Sequence, residues 1–94
     1  MYFREDVIQL TDEDLIMNEI FDQITDKIPT NLDCIFNTQV NTIVFSYNKQ
    51  ALVQIFVKDE HIVFQIANYK LFRNIDQQSW RYLIQLQKHL VNLT

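Results

Sequence analysis

The sequence contains no glycine, and that absence constrains the chain before any other pattern is read. Glycine occupies left-handed backbone at no steric cost and allows a main chain to approach a ligand closely. Without it there is no Walker loop and no dinucleotide fingerprint, and no G-x-S-x-G nucleophile elbow. Tight turns fall instead to asparagine and aspartate, which tolerate positive φ better than other side chains. Two pairs of this kind, Asn48–Lys49 and Asp59–Glu60, stand between apolar alternations.

Those alternations predict strands. In residues 32–38, Leu32, Cys34 and Phe36 share one face and alternate with Asp33, Ile35 and Asn37. In residues 41–47, Ile43, Phe45 and Tyr47 oppose Val44 and Ser46. Residues 51–58 place Ala51, Val53, Ile55 and Val57 on one side and Leu52, Gln54, Phe56 and Lys58 on the other. A fourth run, 61–69, sets Ile62, Phe64 and Ile66 against Val63, Gln65, Ala67 and Tyr69. Connections this short predict neighbouring antiparallel strands, a meander of three or four.

A helix is predicted on each side of the meander. In residues 11–29, Ile16, Ile20, Ile24 and Ile28 fall four apart with Met17 and Phe21 beside them, the stripe of an amphipathic helix. Thr11 and Asp14 read as its capping box, and Pro29 predicts its end at about residue 27 or 28. The opposite side carries Asp14, Asn18, Asp22 and Asp26, with Asp12, Glu13 and Glu19 close by. The closing helix begins after Asp76, a good N-cap. Trp80, Leu83, Ile84, Leu90 and Val91 form its main predicted stripe, and Tyr82, Leu86, His89 and Leu93 a second apolar line. The second line implies contact with the first helix or an oligomer interface. Phe3, Val7, Ile8 and Leu10 suit either an edge strand or an arm against the first helix. The expected fold is a single α+β domain over residues 1–94, with both helices on one face of the sheet.

Charge is divided unevenly. Residues 1–33 hold nine acids and two bases, a net of −7, and residues 34–94 hold three acids and six bases, a net of +3. The molecule is electrostatically two-ended, which favours oriented encounter with a charged partner. No apolar run approaches the ~18 residues of a membrane span, and the N-terminal MYFREDVIQL has acids where a signal peptide is basic. With a single cysteine, Cys34, no internal disulfide forms, so a soluble protein of the reducing cytoplasm is expected. Twelve Ile, eight Asn and ten Gln against two Ala point to an AT-rich coding sequence, as in a low-GC bacterium or its mobile elements.

Catalytic groups are few. Cys34 falls on the apolar phase of its strand, where a thiol behaves as a small hydrophobe. His61 follows a turn, and His89 lies a turn from a helix end, where partial positive charge suits the dipole. One cysteine and two histidines 28 residues apart offer no zinc spacing. The paired carboxylates lie on a solvated helix face and lack a cleft to tune them. No enzyme activity, small-molecule substrate, cofactor or metal is expected. Tyr47, Phe56, Tyr69, Phe72, Arg73 and Arg81 could serve stacking and phosphate contacts, but a pI of ≈ 4.9 opposes direct nucleic-acid binding.

The reading that fits is a small acidic binding protein. Asp12, Asp14, Glu19, Asp22 and Asp26 form the expected contact with a basic surface of a protein partner. Carboxylates about 5–6 Å apart along a helix resemble the spacing of a phosphate backbone, so mimicry of nucleic acid is one route to inhibition. This build is common among phage and mobile-element inhibitors. The alternative is an assembly subunit that homodimerises through the exposed sheet face and the closing helix, with Tyr82, Leu86, His89 and Leu93 as candidate interface residues.

Overall fold

A computed structural model describes residues 16–24 and 28–93. Helix α1 covers residues 16–24. Four strands follow: β1 (Leu32–Asn37), β2 (Thr42–Tyr47), β3 (Gln50–Lys58) and β4 (His61–Ile66). A single-turn helix α2 (Tyr69–Phe72) leads into the long helix α3 (Gln77–Leu93). The strands form one open antiparallel sheet in the order β1-β2-β3-β4. The α+β meander flanked by helices is the expected architecture. Residues 1–10, the Thr11–Asp14 capping box and the predicted helix end near residue 27 lie outside the described residues.

Register places the apolar phases of all four strands on one face. Cys34 opposes Phe45, and Phe36 opposes Ile43. Ile43 in turn opposes Ile55 and Phe45 opposes Val53, and these continue to Phe64 and Ile66. Two ring contacts place both helices over that face. Phe21 of α1 lies 5.4 Å from Phe36, and Tyr82 of α3 lies 6.0 Å from Phe45, edge to face. Met17, Ile20 and Ile24 from α1 and Leu83, Leu86 and Leu90 from α3 close the core.

The pattern departs from simple alternation at one point. Phe45 opposes Val53 while its neighbour Ser46 opposes Ala51, so Leu52 is an extra residue in β3. Such a bulge resets the pleat. Leu52 and Val53 are both fully buried and Ala51 is exposed, the reverse of the expected placement of Ala51 and Leu52. The Leu52 carbonyl accepts the N–H of Ala67 at 2.8 Å, just past β4. The predicted fourth strand therefore stops at Ile66. Asn68 then caps α2, its side chain accepting the Leu71 N–H at 3.0 Å, and Tyr69 becomes helical.

The closing helix also sits rotated from its predicted stripe. Its buried line is Ser79, Leu83, Leu86 and Leu90, whereas Trp80 is 44% and Val91 65% exposed. The physical reason is that α3 serves two neighbours, the sheet below and α1 beside it. In α1 the same sharing buries Met17, Ile20 and Ile24 and leaves Ile16 exposed. Asp76 starts α3 as expected. Its carboxylate accepts the Ser79 N–H at 3.1 Å and the Ser79 hydroxyl at 2.7 Å. Asn31 donates to the same carboxylate at 3.3 Å, which ties the turn before β1 to the start of α3.

The turns reveal how a glycine-free chain closes hairpins. Asn48 and Lys49 have φ of 51° and 65°, and Asp59 and Glu60 have 52° and 67°. Two consecutive positive φ values in a two-residue loop are the signature of a type I′ turn, whose twist matches that of the strands. Left-handed backbone costs a residue with a Cβ roughly 1–2 kcal/mol, so Lys49 and Glu60 hold avoidable strain. Lys49→Gly and Glu60→Gly are each expected to raise unfolding stability by about 0.5–1 kcal/mol after the entropic cost of glycine. Urea denaturation measures this, and an unchanged or lowered midpoint would contradict it.

Candidate binding surface on the helix layer

The sheet buries one face under the helices, and among the described residues no helix covers the other. On that outer face Ile35 pairs with Val44 and Phe56 with Val63, and Ile35 is 62% exposed. The helices carry the charged surface. On α1, Glu19 and Asp22 are exposed while Met17, Ile20 and Ile24 face the core. This split follows from the sequence, because residues three and four apart share a side of a helix. Of the other predicted contact residues, Asp12, Asp14 and Asp26 lie outside the described residues.

Along α3 the predicted interface residues separate. Leu86 is buried in the core and Tyr82 is half-buried. His89 is exposed, and the side chain of Leu93 lies outside what is described. Tyr82 donates its hydroxyl to the Ile24 carbonyl at 3.1 Å, supplying a partner to a carbonyl in the last described turn of α1. His89 Nε2 lies 3.1 Å from Gln23 Oε1, so an Nε2–H donates to that amide. The second apolar line of α3 thus meets α1.

Along these two links residues of α1 and α3 line a groove of about 1010 Å³. Ile20, Ile24, Leu86 and Leu90 form its floor, and Gln23, Gln78, Arg81 and Gln85 stand on its walls. Spacing made this wall legible in retrospect. Gln78, Arg81, Gln85 and His89 recur at three- and four-residue intervals on α3, and Glu19 lies one turn before Gln23 on α1. The signal was obscured because glutamine is common throughout this chain. The outward side of the helix layer is therefore acidic along α1, at Glu19 and Asp22. Along α3 it is basic and amide-rich, with Arg81 and Lys88 exposed and two turns apart.

Other candidate chemistry is dispersed. Cys34 is half-buried on the core face, and burial pushes its thiol up from 9.0 to about 11. A thiol that resists ionisation is a poor nucleophile at neutral pH. Among the described residues no three His, Cys, Asp or Glu side chains converge as metal ligands. No helix among them is long and apolar enough to cross a membrane. The aromatics weighed for base stacking do not share a surface: Phe72 is buried, Tyr47 is on the core face, Phe56 is on the outer face and Tyr69 projects into solvent. Compared with known proteins, the chain matches no family model, no curated protein and no solved structure.

Alkaline pH tests the seam between the helices and the sheet. Burial, reinforced by the nearby Cys34 charge, pushes the Tyr82 hydroxyl up from 10.0 to about 12. Both Cys34 and Tyr82 hold their protons more tightly when folded, so the folded state loses stability as pH rises. The associated stabilisation is complete below pH 9 and falls away between pH 9 and about 12. A Tyr82→Phe, Cys34→Ala variant is expected to show a flatter stability profile over that window in urea titrations. At neutral pH, Tyr82→Phe alone should cost about 1 kcal/mol, the worth of one hydrogen bond. An unaltered profile in the double variant would contradict the assignment.

Proposed function

We propose that this protein is a small acidic, non-enzymatic binding protein that inhibits or regulates a protein partner through the exposed side of α1. The observation that carries the reading is the division of that helix. Its apolar side is anchored in the core by Met17, Ile20 and Ile24, while Glu19 and Asp22 stand in solvent. Carboxylates on a fixed scaffold lose little freedom on binding, which favours affinity. Asp12, Asp14 and Asp26 extend the same charge along the sequence.

The partner is a protein with a basic surface, such as the substrate groove of a nucleic-acid-handling or defence enzyme. Carboxylates one helical turn apart, about 5–6 Å, offer such a groove a substitute for consecutive phosphates. An excess of seven negative charges in the first 33 residues adds long-range attraction that speeds and orients encounter. Neither a cofactor nor a small-molecule substrate has a part in this mode of action. The setting proposed is the cytoplasm of a bacterium, with a phage or other mobile element as the source.

Capture from nuclease-treated host lysate is the test. Wild-type protein is expected to retain a stoichiometric partner at low salt and to lose it progressively as salt shortens the screening length to about 3 Å at 1 M. A Glu19→Lys, Asp22→Lys variant, both positions being solvent-exposed, should fold normally by circular dichroism and capture much less. Equal capture by both proteins, or capture indifferent to salt, would overturn the reading.

A further inference from the structure

The helix layer carries both halves of a complementary surface, and this points to a second copy of the chain as its occupant. Glu19 stands on α1 one helical turn before Gln23, which lines the groove. Arg81 rims it from α3, one turn before Gln85. Both charged side chains are exposed. We propose that two copies pair by a two-fold axis across this layer, the acidic edge of α1 in each lying over Arg81 and Lys88 of the other.

Symmetry makes such a contact doubly effective. In a two-fold interface every contact occurs twice, so one residue pair supplies two ion pairs. Facing like layers without the two-fold crossing would oppose acid to acid and base to base. The crossing converts that repulsion into attraction, and charge pattern therefore selects the arrangement. The groove of about 1010 Å³ gives side chains of the second copy a concave surface to enter. Gln23, Gln78 and Gln85 on its walls each bring amide donors and acceptors that a like surface can satisfy. Exposed Ile16 lies one turn before Ile20 on the same side and adds apolar area.

Such a pairing covers Glu19, so dimer and partner compete for the same edge of α1. That regulatory consequence rests on the proposed function, whereas the dimer stands without it. The sequence suggested self-association through the closing helix together with the exposed sheet face. Here the sheet takes no part, and the buried Leu86 is not an anchor.

Sedimentation equilibrium of the whole chain decides the matter without any partner. Wild type is expected to be a reversible dimer at low salt, weakening as salt rises. Arg81→Glu and Glu19→Lys should each raise the dissociation constant roughly tenfold, since each alters two exposed ion pairs. An equimolar mixture of the two variants should recover association, because both crossed pairs are again opposite in sign. The double variant Glu19→Lys, Arg81→Glu should recover it for the same reason. That recovery separates a charge effect from misfolding. A strictly monomeric wild type, a dimer indifferent to Arg81→Glu, or a double variant that fails to re-associate would overturn the proposal. A monomeric wild type that still captures its partner would overturn this inference alone, and a dimeric wild type that captures no partner would overturn the proposed function alone.

Discussion

A single apolar sheet face must be covered from both ends of the chain, and the rest of the structure depends on that requirement. Strands β1 to β4 make one face of Cys34, Phe45, Val53 and Ile66 in register. An isolated sheet of this size would leave that face wet, at a cost of roughly 25 cal/mol for each Å² of apolar surface. Helix α1 precedes the sheet and α3 follows it, so covering the face joins the two ends of the sequence. Phe21 against Phe36 and Tyr82 against Phe45 are the visible points of that closure. The helices must also meet each other. Their meeting uses the Tyr82 hydroxyl on the Ile24 carbonyl and His89 on Gln23.

Once both helices are committed inward, their remaining surface is fixed in position. The core takes Met17, Ile20 and Ile24 from α1, and every carboxylate between them is turned to solvent. The same commitment in α3 turns Arg81 and Lys88 outward. Opposite charges thereby lie side by side on one layer, although the acids belong to the first third of the chain and these bases to the last. The fold converts a charge imbalance along the sequence into a surface with two adjacent signs. The two proposed contacts, with a basic partner along α1 and with a second copy across the groove, both draw on that surface.

Strand positions, both two-residue turns and the cap at Asp76 were legible because each is a local signal. Asn48 and Asp59 sit at the first left-handed position of their turns, as a chain without glycine requires. What escaped the sequence was non-local. Leu52 reads as an outward residue by simple alternation, and only the skipped pairing between β2 and β3 shows that it is an extra residue directed inward. Asn68 becomes the cap of α2 because the Ala67 amide is held by the Leu52 carbonyl, a partner 15 residues away in the chain. The buried line of α3 shifted from Trp80 and Val91 toward Leu86 because α1 occupies that flank, a contact that helical periodicity alone does not reveal. For the binding surface, the exposure of Glu19 and Asp22 was legible from their spacing. The groove beside them was not, since its lining comes from two helices distant in the sequence.

The central proposal is that the exposed side of α1, and not the outer face of the sheet, is where this protein meets its partner. Hydrogen exchange of the captured complex, compared with the protein alone, tests this most directly, because bound backbone exchanges more slowly when a partner restricts local opening. Protection gained in peptides covering residues 16–24, with β1 and β4 exchanging as before, is the expected result. Protection concentrated instead in β1 or β4, with α1 exchanging as in the free protein, would contradict it.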